Sequence, residues 1–427
     1  MLSFAFRGAL RLARTRLLRL LSLFLLLALC VPTVSADAVS ENAPATPRVY
    51  ALPSASSPAS SPALSPTLSP DVPPALPAVS AKSAILCNAE TGEVYFAHNA
   101  DSPMPFASTT KIMTALVAIE SAPLDTVIRV APEAVGTEGS SVYLYENEAL
   151  TLETLLYALL LESANDAAVA IACGIAGSVE AFVDRMNAKA QALGLSHTQF
   201  RNPHGLHDDA HYTTARELAV ITAHALANET FRRVVSTYKK TVPQEDSGAV
   251  RLFINHNRLL RSYEGCIGVK TGYTKRSGRC LVTAAERDGL RLVAVTLSAP
   301  DDWSDHTAML DYGFSRYETV TLTEPQALSF TLPVLNGVDA EVTAAPQISA
   351  PLCITLPKGH GEILTAVSLP RFLWGDYEKG ETVGCVRFFC EEDLLAEVPI
   401  VLDAPVRQIS YRFRPIKRIK AFFRIFD

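Results

Sequence analysis

Apolar residues recur every three or four positions through the middle of the chain, which is the spacing of one buried helix face. Ser178 is a typical N-cap residue before one such segment, and Thr214 with Glu217 has the spacing of a capping box before another. We expect the third helix to end at Gly174. The pattern predicts helices over about 108–121, 152–161, 167–172, 178–193 and 214–227.

Shorter apolar runs, separated by turn residues, predict strands on both sides of this helical region. Asp288-Gly289 is a strong two-residue hairpin signal between two of them, and a last helix is expected over about 305–312, ending at Gly313. The expected strands are 83–86, 94–96, 267–273, 279–285 and 290–297. Strands that enclose helices predict an α+β domain whose antiparallel sheet combines early and late strands.

The helical spacing disappears after residue 320. Short strands between proline and glycine turns are expected near 327–332, 339–343, 352–355, 363–368, 382–389 and 396–401. They predict a small all-β domain with no catalytic constellation. The fold class is therefore α+β, a helical region with an antiparallel sheet, followed by this β domain.

The C-terminal tail returns to a helical pattern. In a helix from Pro415, one arc is apolar and the opposite arc is basic: Ile416, Ile419, Phe422, Phe423 and Phe426 against Lys417, Lys420 and Arg424. A run of about twelve residues rises roughly 18 Å, too little for a hydrocarbon core of about 30 Å. We expect this amphipathic helix to lie on a membrane surface; a helix docked on its own domain is the alternative.

The first residues have the pattern of an export signal. Five arginines precede the apolar core Leu20–Val31 and the small residues Val34-Ser35-Ala36; an uncleaved membrane anchor is the alternative. Ten of the 27 prolines lie within 43–80, which predicts an extended linker. The predicted organisation is a signal peptide 1–36, a linker 37–80, a catalytic domain 81–320, a small β-rich domain 321–408 and a membrane-associating tail 409–427.

Charge is distributed unevenly along the chain. The net charge of −6 combines +5 in each of the ends 1–36 and 409–427 with −16 across 37–408. An acidic body disfavours nucleic acid as a partner, whereas basic ends suit the outer face of the cytoplasmic membrane. Seven cysteines follow the signal, and their odd number and spacing match no metal site or disulfide framework, so buried free thiols are expected.

Candidate chemistry begins at Ser108 and Lys111. In a helix these side chains share one face, and Ser108 lies in the first turn, where free N–H groups favour developing negative charge. A serine needs a neighbouring base, and a lysine whose pKa is lowered by burial or by other cations can supply one. Taken alone, the pair is more simply explained as an N-cap serine beside a surface lysine.

Two later motifs change that reading. Ser163-Ala164-Asn165 interrupts an apolar helical region, where polar side chains need partners. Lys270-Thr271-Gly272 lies on an expected strand, where Gly272 allows close approach of a ligand backbone. In this order and on these elements, Ser-x-x-Lys, Ser-x-Asn and Lys-Thr-Gly resemble the signature of the penicillin-binding proteins and serine β-lactamases.

Within that group the chain resembles the serine-type D-alanyl-D-alanine carboxypeptidases, the low-molecular-mass penicillin-binding proteins. The resemblance covers about 81–427 and is most specific in 81–315. It is carried by Ala107–Ala115, Glu162–Ala168, Asn202–Leu206, His211–Ala215 and Gly268–Thr274. It implies that family's fold, removal of the terminal D-alanine from peptidoglycan stem pentapeptides, inhibition by β-lactams such as penicillins, and no cofactor or metal.

The resemblance also implies the catalytic residues. Ser108 would attack the carbonyl between the two D-alanines, and Lys111 would accept its proton. Ser163 would relay a proton to the leaving amine, and Asn165 would hold the substrate amide.

The substrate-binding residues implied in the same way are Lys270, Thr271, Gly272 and Tyr273. Lys270 would supply positive potential and help to keep Lys111 neutral, while Thr271 would bind the substrate carboxylate. The backbone N–H groups of Ser108 and Tyr273 would form the oxyanion hole.

Three other functions use similar residues. A class A β-lactamase adds a glutamate in a Glu-x-x-Leu-Asn pattern, which is missing between Asn165 and Lys270. A non-catalytic peptidoglycan-binding protein predicts the loss of a catalytic side chain, and none is lost. A D,D-endopeptidase acting on cross-links uses the same residues and stays open.

Two further features bear on the site. His204, His207 and His211 cluster in sequence, but without a paired carboxylate pattern they are interpreted as structural. Members of the family often carry a substrate-binding arginine near the position of Asp301-Asp302-Trp303, and this chain has none there.

Overall fold

A computed structural model describes residues 48–49, 75–243 and 250–410 of the chain. The predicted signal, most of the linker and residues 411–427 of the tail lie outside the described residues. The described residues form two compact units, one of 75–243, 250–323 and 351–362, the other of 48–49, 324–350 and 363–410.

The helices belong to the larger unit. They are Lys111–Ser121 (α1), Leu152–Leu161 (α2), Asn165–Ala176 (α3), Val179–Ala192 (α4), Ala215–Ala227 (α5), Glu229–Ser236 (α6), Leu259–Ser262 (α7) and Asp302–Arg316 (α8), with 3₁₀ turns at Ala107–Thr110 and Pro132–Ala134. The strands, in chain order over both units, are Arg48–Val49 (β1), Ser83–Asn88 (β2), Val94–His98 (β3), Val127–Arg129 (β4), Ala149–Thr151 (β5), Lys239–Pro243 (β6), Val250–Ile254 (β7), Cys266–Thr274 (β8), Gly278–Arg287 (β9), Leu290–Leu297 (β10), Tyr317–Thr323 (β11), Phe330–Pro333 (β12), Glu341–Pro346 (β13), Leu352–Pro357 (β14), Ile363–Ser368 (β15), Thr382–Cys390 (β16) and Asp393–Leu402 (β17).

The larger unit is built on a five-stranded antiparallel sheet in the order β3-β2-β10-β9-β8. It confirms the predicted combination of early and late strands, because β2 pairs with β10. The expected hairpin is also present: Asp288 and Gly289 both have positive φ, and Leu290 pairs with Arg287. Strand β8 forms one edge of the sheet, so one side of its backbone is free of strand partners among the described residues.

The helix starts follow the predicted caps. The side chains of Ser178 and Thr214 accept hydrogen bonds from backbone N–H groups three residues later. The reciprocal half of the predicted capping box is absent, because the Glu217 carboxylate instead accepts from the N–H of His197 and the hydroxyl of Thr198. The box therefore caps α5 from one side only.

Two predicted helix ends are wrong for one physical reason. Helix α3 passes Gly174 and ends at Gly177, whose φ of +83° forms a left-handed C-cap. A Cβ on Gly174 would lie 2.5 Å from Ile128 Cγ2. Helix α8 likewise passes Gly313, where a Cβ would lie 2.5 Å from Leu292 Cδ1. Both glycines permit close packing of a helix instead of ending it.

The smaller unit contains a six-stranded sheet in the order β1-β15-β16-β17-β13-β12, and the strands expected near 363–368, 382–389 and 396–401 are confirmed. The strand expected near 352–355 also forms, as β14, but it pairs with β11 of the larger unit. The predicted domain boundary at residue 320 lies inside β11.

No disulfide joins the seven cysteines of the described residues. Their predicted burial holds for Cys87 and Cys280, whereas Cys353 is exposed and the other four are half-buried. Across residues 75–243 and 250–410, no single helix is long and apolar enough to cross a membrane. The pair α3 and α4, bent by 87° at the break between them, meets the same requirement by length and composition only.

Candidate active site

The Ser108 turn precedes helix α1. Ala107–Thr110 form a 3₁₀ turn and α1 begins at Lys111, so Ser108 lies one turn before the helix and not in its first turn. Ala107 has a φ of +48°, which is unusual for a residue with a side chain. Such strain persists where the surroundings enforce it, and it is commonly found at functional sites.

Lys111 is fully buried and contacts the candidate nucleophile. Its Nζ lies 3.0 Å from Ser108 Oγ. Two further oxygens contact Nζ, Asn165 Oδ1 at 2.7 Å and the carbonyl oxygen of His204 at 2.6 Å. Burial, and then the positive charge of Lys270, lowers the pKa of Lys111 well below its usual value, although Asp166 acts in the opposite direction.

In the neutral form of Lys111, these contacts would direct the lone pair of Nζ at Ser108. A neutral lysine amine has two N–H donors and one lone pair. Asn165 Oδ1 and the His204 carbonyl only accept hydrogen bonds, so together they use both donors. The lone pair is then free to accept the proton of Ser108 Oγ, which is the geometry of an activated nucleophile.

The Ser-x-Asn motif lies in the turn between α2 and α3. Ser163 is buried and has a φ of +61°, and Asn165 is the first residue of α3. Asn165 Nδ2 donates to the carbonyl of Glu138 at 2.6 Å, which leaves Oδ1 for Lys111. The neighbouring carboxylate of Asp166 is buried and accepts hydrogen bonds from the backbone N–H groups of Val142 and Leu144. Asp166 therefore fixes the loop that contains these two residues.

The Lys-Thr-Gly motif lies on edge strand β8. Lys270 is 2% exposed, and burial lowers its pKa to about 7, with Glu162 opposing the shift. A Cβ on Gly272 would lie 3.1 Å from Ser108 N and 3.2 Å from the Phe106 carbonyl oxygen. The close approach that Gly272 permits is therefore to the Ser108 turn itself. Thr271 is half-buried and Tyr273 is 65% exposed at the same edge.

The structure thus joins the three motifs: Lys111 contacts Ser108, Asn165 contacts Lys111, and Gly272 packs against the Ser108 turn. Residues 70–301 match the family described as D-alanyl-D-alanine carboxypeptidase, Peptidase_S11.

The chain belongs to the D-alanyl-D-alanine carboxypeptidase family.

Individual relatives agree with this assignment. The chain is 31% identical to D-alanyl-D-alanine carboxypeptidase DacF from Bacillus subtilis (strain 168), over 78% of this chain and 88% of that protein. It is 31% identical to DacC from Escherichia coli (strain K12), over 78% and 86%. The solved structure of penicillin binding protein 5 from Haemophilus influenzae has a TM-score of 0.62 at 27% identity, covering 78% of this chain and 99% of that one.

Membership confirms the resemblance drawn from the sequence motifs, the fold class and the assignment as a serine-type D-Ala-D-Ala carboxypeptidase that acts on the cell wall. It also confirms the penicillin-binding protein class. The D,D-endopeptidase alternative is not better supported.

Several groups at the site were not singled out by their type or spacing. The carbonyls of Glu138 and His204 hold Asn165 and Lys111, and backbone carbonyls carry no side-chain signal. Gly205 is the exception that the sequence offered, since it lies in the stretch 202–206 shared with the family. A Cβ there would lie 2.0 Å from the Ala107 carbonyl oxygen, so this carboxypeptidase needs glycine beneath the Ser108 turn.

Two of the three clustered histidines contact the site: the His204 carbonyl oxygen accepts from Lys111, and His211 Nε2 lies 2.8 Å from Thr110 Oγ1. Within the described residues, no group of three or more His, Cys, Asp or Glu side chains could hold a metal ion. Burial, reinforced by Lys111, lowers the pKa of His204 to about 3, so its ring is neutral at physiological pH.

An arginine does lie near Asp301-Asp302-Trp303, although it comes from another element. Arg279 on β9 forms an ion pair with the buried carboxylate of Asp302 at 2.9 Å, and its guanidinium lies 5.9 Å from the Trp303 ring centroid. It pairs in register with Tyr273 on β8.

Proposed function

We propose that this carboxypeptidase uses Ser108 to remove the terminal D-alanine from peptidoglycan stem pentapeptides through an acyl-enzyme. One observation carries this assignment: a buried Lys111 amine whose two donors face carbonyl-type oxygens and whose remaining position faces Ser108 Oγ at 3.0 Å.

Acylation follows from that geometry. Ser108 Oγ attacks the carbonyl carbon of the D-Ala-D-Ala amide and transfers its proton to Lys111 Nζ. When the C–N bond breaks, the proton returns through the Ser163 hydroxyl to the leaving amine, and an ester remains on Ser108. A water molecule then attacks the ester and gives a proton to Lys111, which passes it to Ser108 Oγ as the C–O bond breaks, so that the shortened peptide leaves and the serine hydroxyl and neutral amine are restored.

The edge of the sheet binds the substrate. The free side of β8 can take an extended peptide by backbone pairing. Thr271 binds its terminal carboxylate, Lys270 supplies positive potential there, and Asn165 holds its amide. The N–H groups of Ser108 and Tyr273 stabilise the oxyanion, a role worth about 100- to 1000-fold in rate per donor. β-Lactams such as penicillins acylate Ser108 at the same place.

We also propose that the enzyme is exported and held at the outer face of the cytoplasmic membrane. The basic, apolar and small-residue pattern of 1–36 supports a signal peptide, and the proline-rich stretch 37–80 supports a linker. The amphipathic pattern of 409–427 supports peripheral anchoring, with the catalytic domain 81–320 and the β-rich domain 321–408 between them.

Labelling with a fluorescent penicillin tests the assignment of Ser108. The mature protein should label stably, Ser108→Ala should not label, and the exposed Ser102→Ala, six residues earlier, should label like the wild type. Rapid release of the label would identify a β-lactamase, and no labelling of the wild type would contradict the acyl-enzyme.

The substrate needs a separate assay. We expect D-alanine release from a stem pentapeptide to exceed cleavage of a cross-linked dimer. The reverse preference would assign the enzyme as an endopeptidase.

A further inference from the structure

A buried histidine outside the three motifs is hydrogen-bonded toward the nucleophile turn. His211 is 4% exposed and stacks on Phe106 with ring centroids 4.8 Å apart. The backbone N–H of Arg201 donates to its Nδ1 at 3.0 Å, and its Nε2 lies 2.8 Å from Thr110 Oγ1. Burial lowers the pKa of His211 to about 4, with Lys111 adding to the shift and Asp208 opposing it. The neutral ring therefore carries its proton on Nε2, and this N–H donates a hydrogen bond to Thr110 Oγ1.

Thr110 passes the hydrogen bond to the peptide unit of the nucleophile. Its Oγ1 donates to the Ala107 carbonyl oxygen at 2.7 Å. That carbonyl and the N–H of Ser108 belong to one planar trans peptide, so fixing the direction of C=O fixes the opposite direction of N–H. The strained φ of +48° at Ala107 makes such an external constraint necessary.

Each donor in this series donates to the next residue: Arg201 N–H to His211, His211 Nε2–H to Thr110, and Thr110 O–H to the Ala107 carbonyl, whose peptide carries the Ser108 N–H proposed to bind the substrate oxyanion. Hydrogen bonds aligned in series polarise one another in a low-dielectric interior. We propose that His211 and Thr110 are positioning residues that orient and polarise the oxyanion-binding N–H of Ser108. This inference rests on the proposed role of that N–H.

Substitution of Thr110 tests the series with little change of shape. Thr110→Val removes the hydroxyl and should lower the penicillin acylation rate constant roughly tenfold, less than the loss of an oxyanion donor itself, with little change in the initial binding constant. Thr110→Ser keeps the hydroxyl and should restore the rate. In the infrared spectrum, the acyl-enzyme carbonyl of Thr110→Val should shift to higher wavenumber because its hydrogen bond is weaker.

His211→Phe keeps the ring stacked on Phe106 but loses the donor, and provides a second route if Thr110→Val does not fold. In a double-mutant cycle it should add less than twofold to the loss caused by Thr110→Val. If Thr110→Val and His211→Phe each acylate within twofold of the wild-type rate and their acyl-enzyme carbonyl bands are unshifted, the inference is overturned and the proposed function is left intact. Failure of the wild type to acylate would instead overturn the proposed function.

A second feature lies in the smaller unit, where five large apolar side chains are exposed. This group, the Trp374 patch, comprises Leu335 (48% exposed), Val338 (66%), Phe372 (47%), Trp374 (66%) and Ile409 (42%). Their segments are joined by backbone hydrogen bonds: Leu335 N–H to the Leu373 carbonyl, Val338 N–H to the Arg407 carbonyl, and Ile409 N–H to the Asn336 carbonyl. Val334 and Leu373 pair and face inward, so their sequence neighbours in the patch face outward.

The position of the patch in the chain indicates what covers it. The patch ends at Ile409, and the predicted amphipathic helix begins at Pro415, so the residues between them span at most about 20 Å. A tail that lies on a membrane therefore brings the patch within reach of it. Exposed tryptophan and phenylalanine suit the interfacial zone of a bilayer. We infer that the Trp374 patch is a second contact with the lipid surface, an inference that rests on the proposed anchoring of the tail.

Tryptophan fluorescence tests this contact, because the chain has two tryptophans and Trp303→Phe leaves Trp374 as the sole one. The mature Trp303→Phe protein, added to vesicles of phosphatidylethanolamine and phosphatidylglycerol, should show a blue shift and quenching by brominated lipid. Phe372→Ser should weaken vesicle binding several-fold, whereas exposed Leu394→Ser, elsewhere in the unit, should not.

The outcomes separate the two claims. Sedimentation with vesicles without a Trp374 signal would overturn the patch and preserve the tail as anchor. A blue shift that depends on protein concentration in the absence of lipid would assign the patch to a second copy of this chain and overturn the lipid contact. Absence of any vesicle binding would overturn both claims.

Discussion

Two buried lysines determine the charge balance of the active site. In the proposed mechanism, Lys111 must be neutral to accept a proton, and Lys270 must be charged to attract the substrate carboxylate. Burial lowers the pKa of both, and the charge of Lys270 lowers that of Lys111 further. The two demands are met together only at pH values where Lys111 is neutral while Lys270 keeps its proton.

The second-order rate constant for penicillin acylation should therefore have a bell-shaped pH dependence. It should rise as Lys111 loses its proton, and fall above about pH 7, where Lys270, whose pKa is lowered to about 7, becomes neutral. Lys270→Arg keeps its charge at every accessible pH, so the alkaline fall should disappear. Stopped-flow acylation across pH 5–10 measures this, with exposed Lys275→Arg as the control. An unchanged alkaline limb in Lys270→Arg would assign it to another group.

The sequence predicted this site to the level of side chains and no further. The spacing of Ser108 and Lys111 anticipated their contact, and the structure has it at 3.0 Å. The groups that direct the Lys111 lone pair include the backbone carbonyl of His204, far away in sequence. Every residue has such a carbonyl, so its placement depends on the fold and leaves no signal in the residue type.

Two glycines with similar backbone conformations differ in their surroundings. Gly205 has a φ of +89°, and a Cβ there would lie 2.0 Å from the Ala107 carbonyl oxygen. Gly194 has a similar φ of +75°, but a Cβ there would meet nothing within 4 Å. The two positions carry the same backbone strain and differ in what they pack against.

This pair separates backbone strain from the support of the Ser108 turn. Gly194→Ala should lower the free energy of unfolding by about 1 kcal/mol and leave penicillin acylation unchanged. Gly205→Ala should cost more, because backbone must move, and should lower acylation at least about 100-fold since Ser108 loses its orientation. Urea unfolding and labelling rates measure the two effects. Equal losses in both variants would show that strain alone matters.

The same physics limited the prediction of elements. The expected helix ends at Gly174 and Gly313 were wrong because each glycine faces a packed side chain. A sequence shows that a residue lacks a Cβ, but it does not show whether the reason is a turn or a close neighbour. The hairpin at Asp288-Gly289 was predictable because its reason is local.

At the scale of the whole molecule, the chain passes from one unit to the other and back. Residues 351–362 belong to the larger unit, between two stretches of the smaller one, because β14 pairs with β11. A strand that pairs across about thirty intervening residues looks, in sequence, like its neighbours. The β-rich character of this region was therefore predictable, and the membership of that strand was not.

The last prediction concerns the effect of the C-terminal tail on membrane binding. A mature protein lacking 1–36 removes any contribution of the signal, and truncation after Ser410 then removes a net charge of +5. Basic residues near an anionic surface contribute about 1 kcal/mol each, and the apolar arc adds burial, so truncation should lower vesicle binding at least about tenfold. Any remaining binding should require Trp374. D-alanine release from a small soluble peptide should be unchanged, since the candidate site lies in the larger unit.

The apolar arc is tested in the full tail. Phe422→Ser with Phe423→Ser should weaken vesicle binding at high salt, where screening removes the electrostatic contribution to binding. Undiminished sedimentation of the truncated protein with vesicles would contradict the tail as anchor.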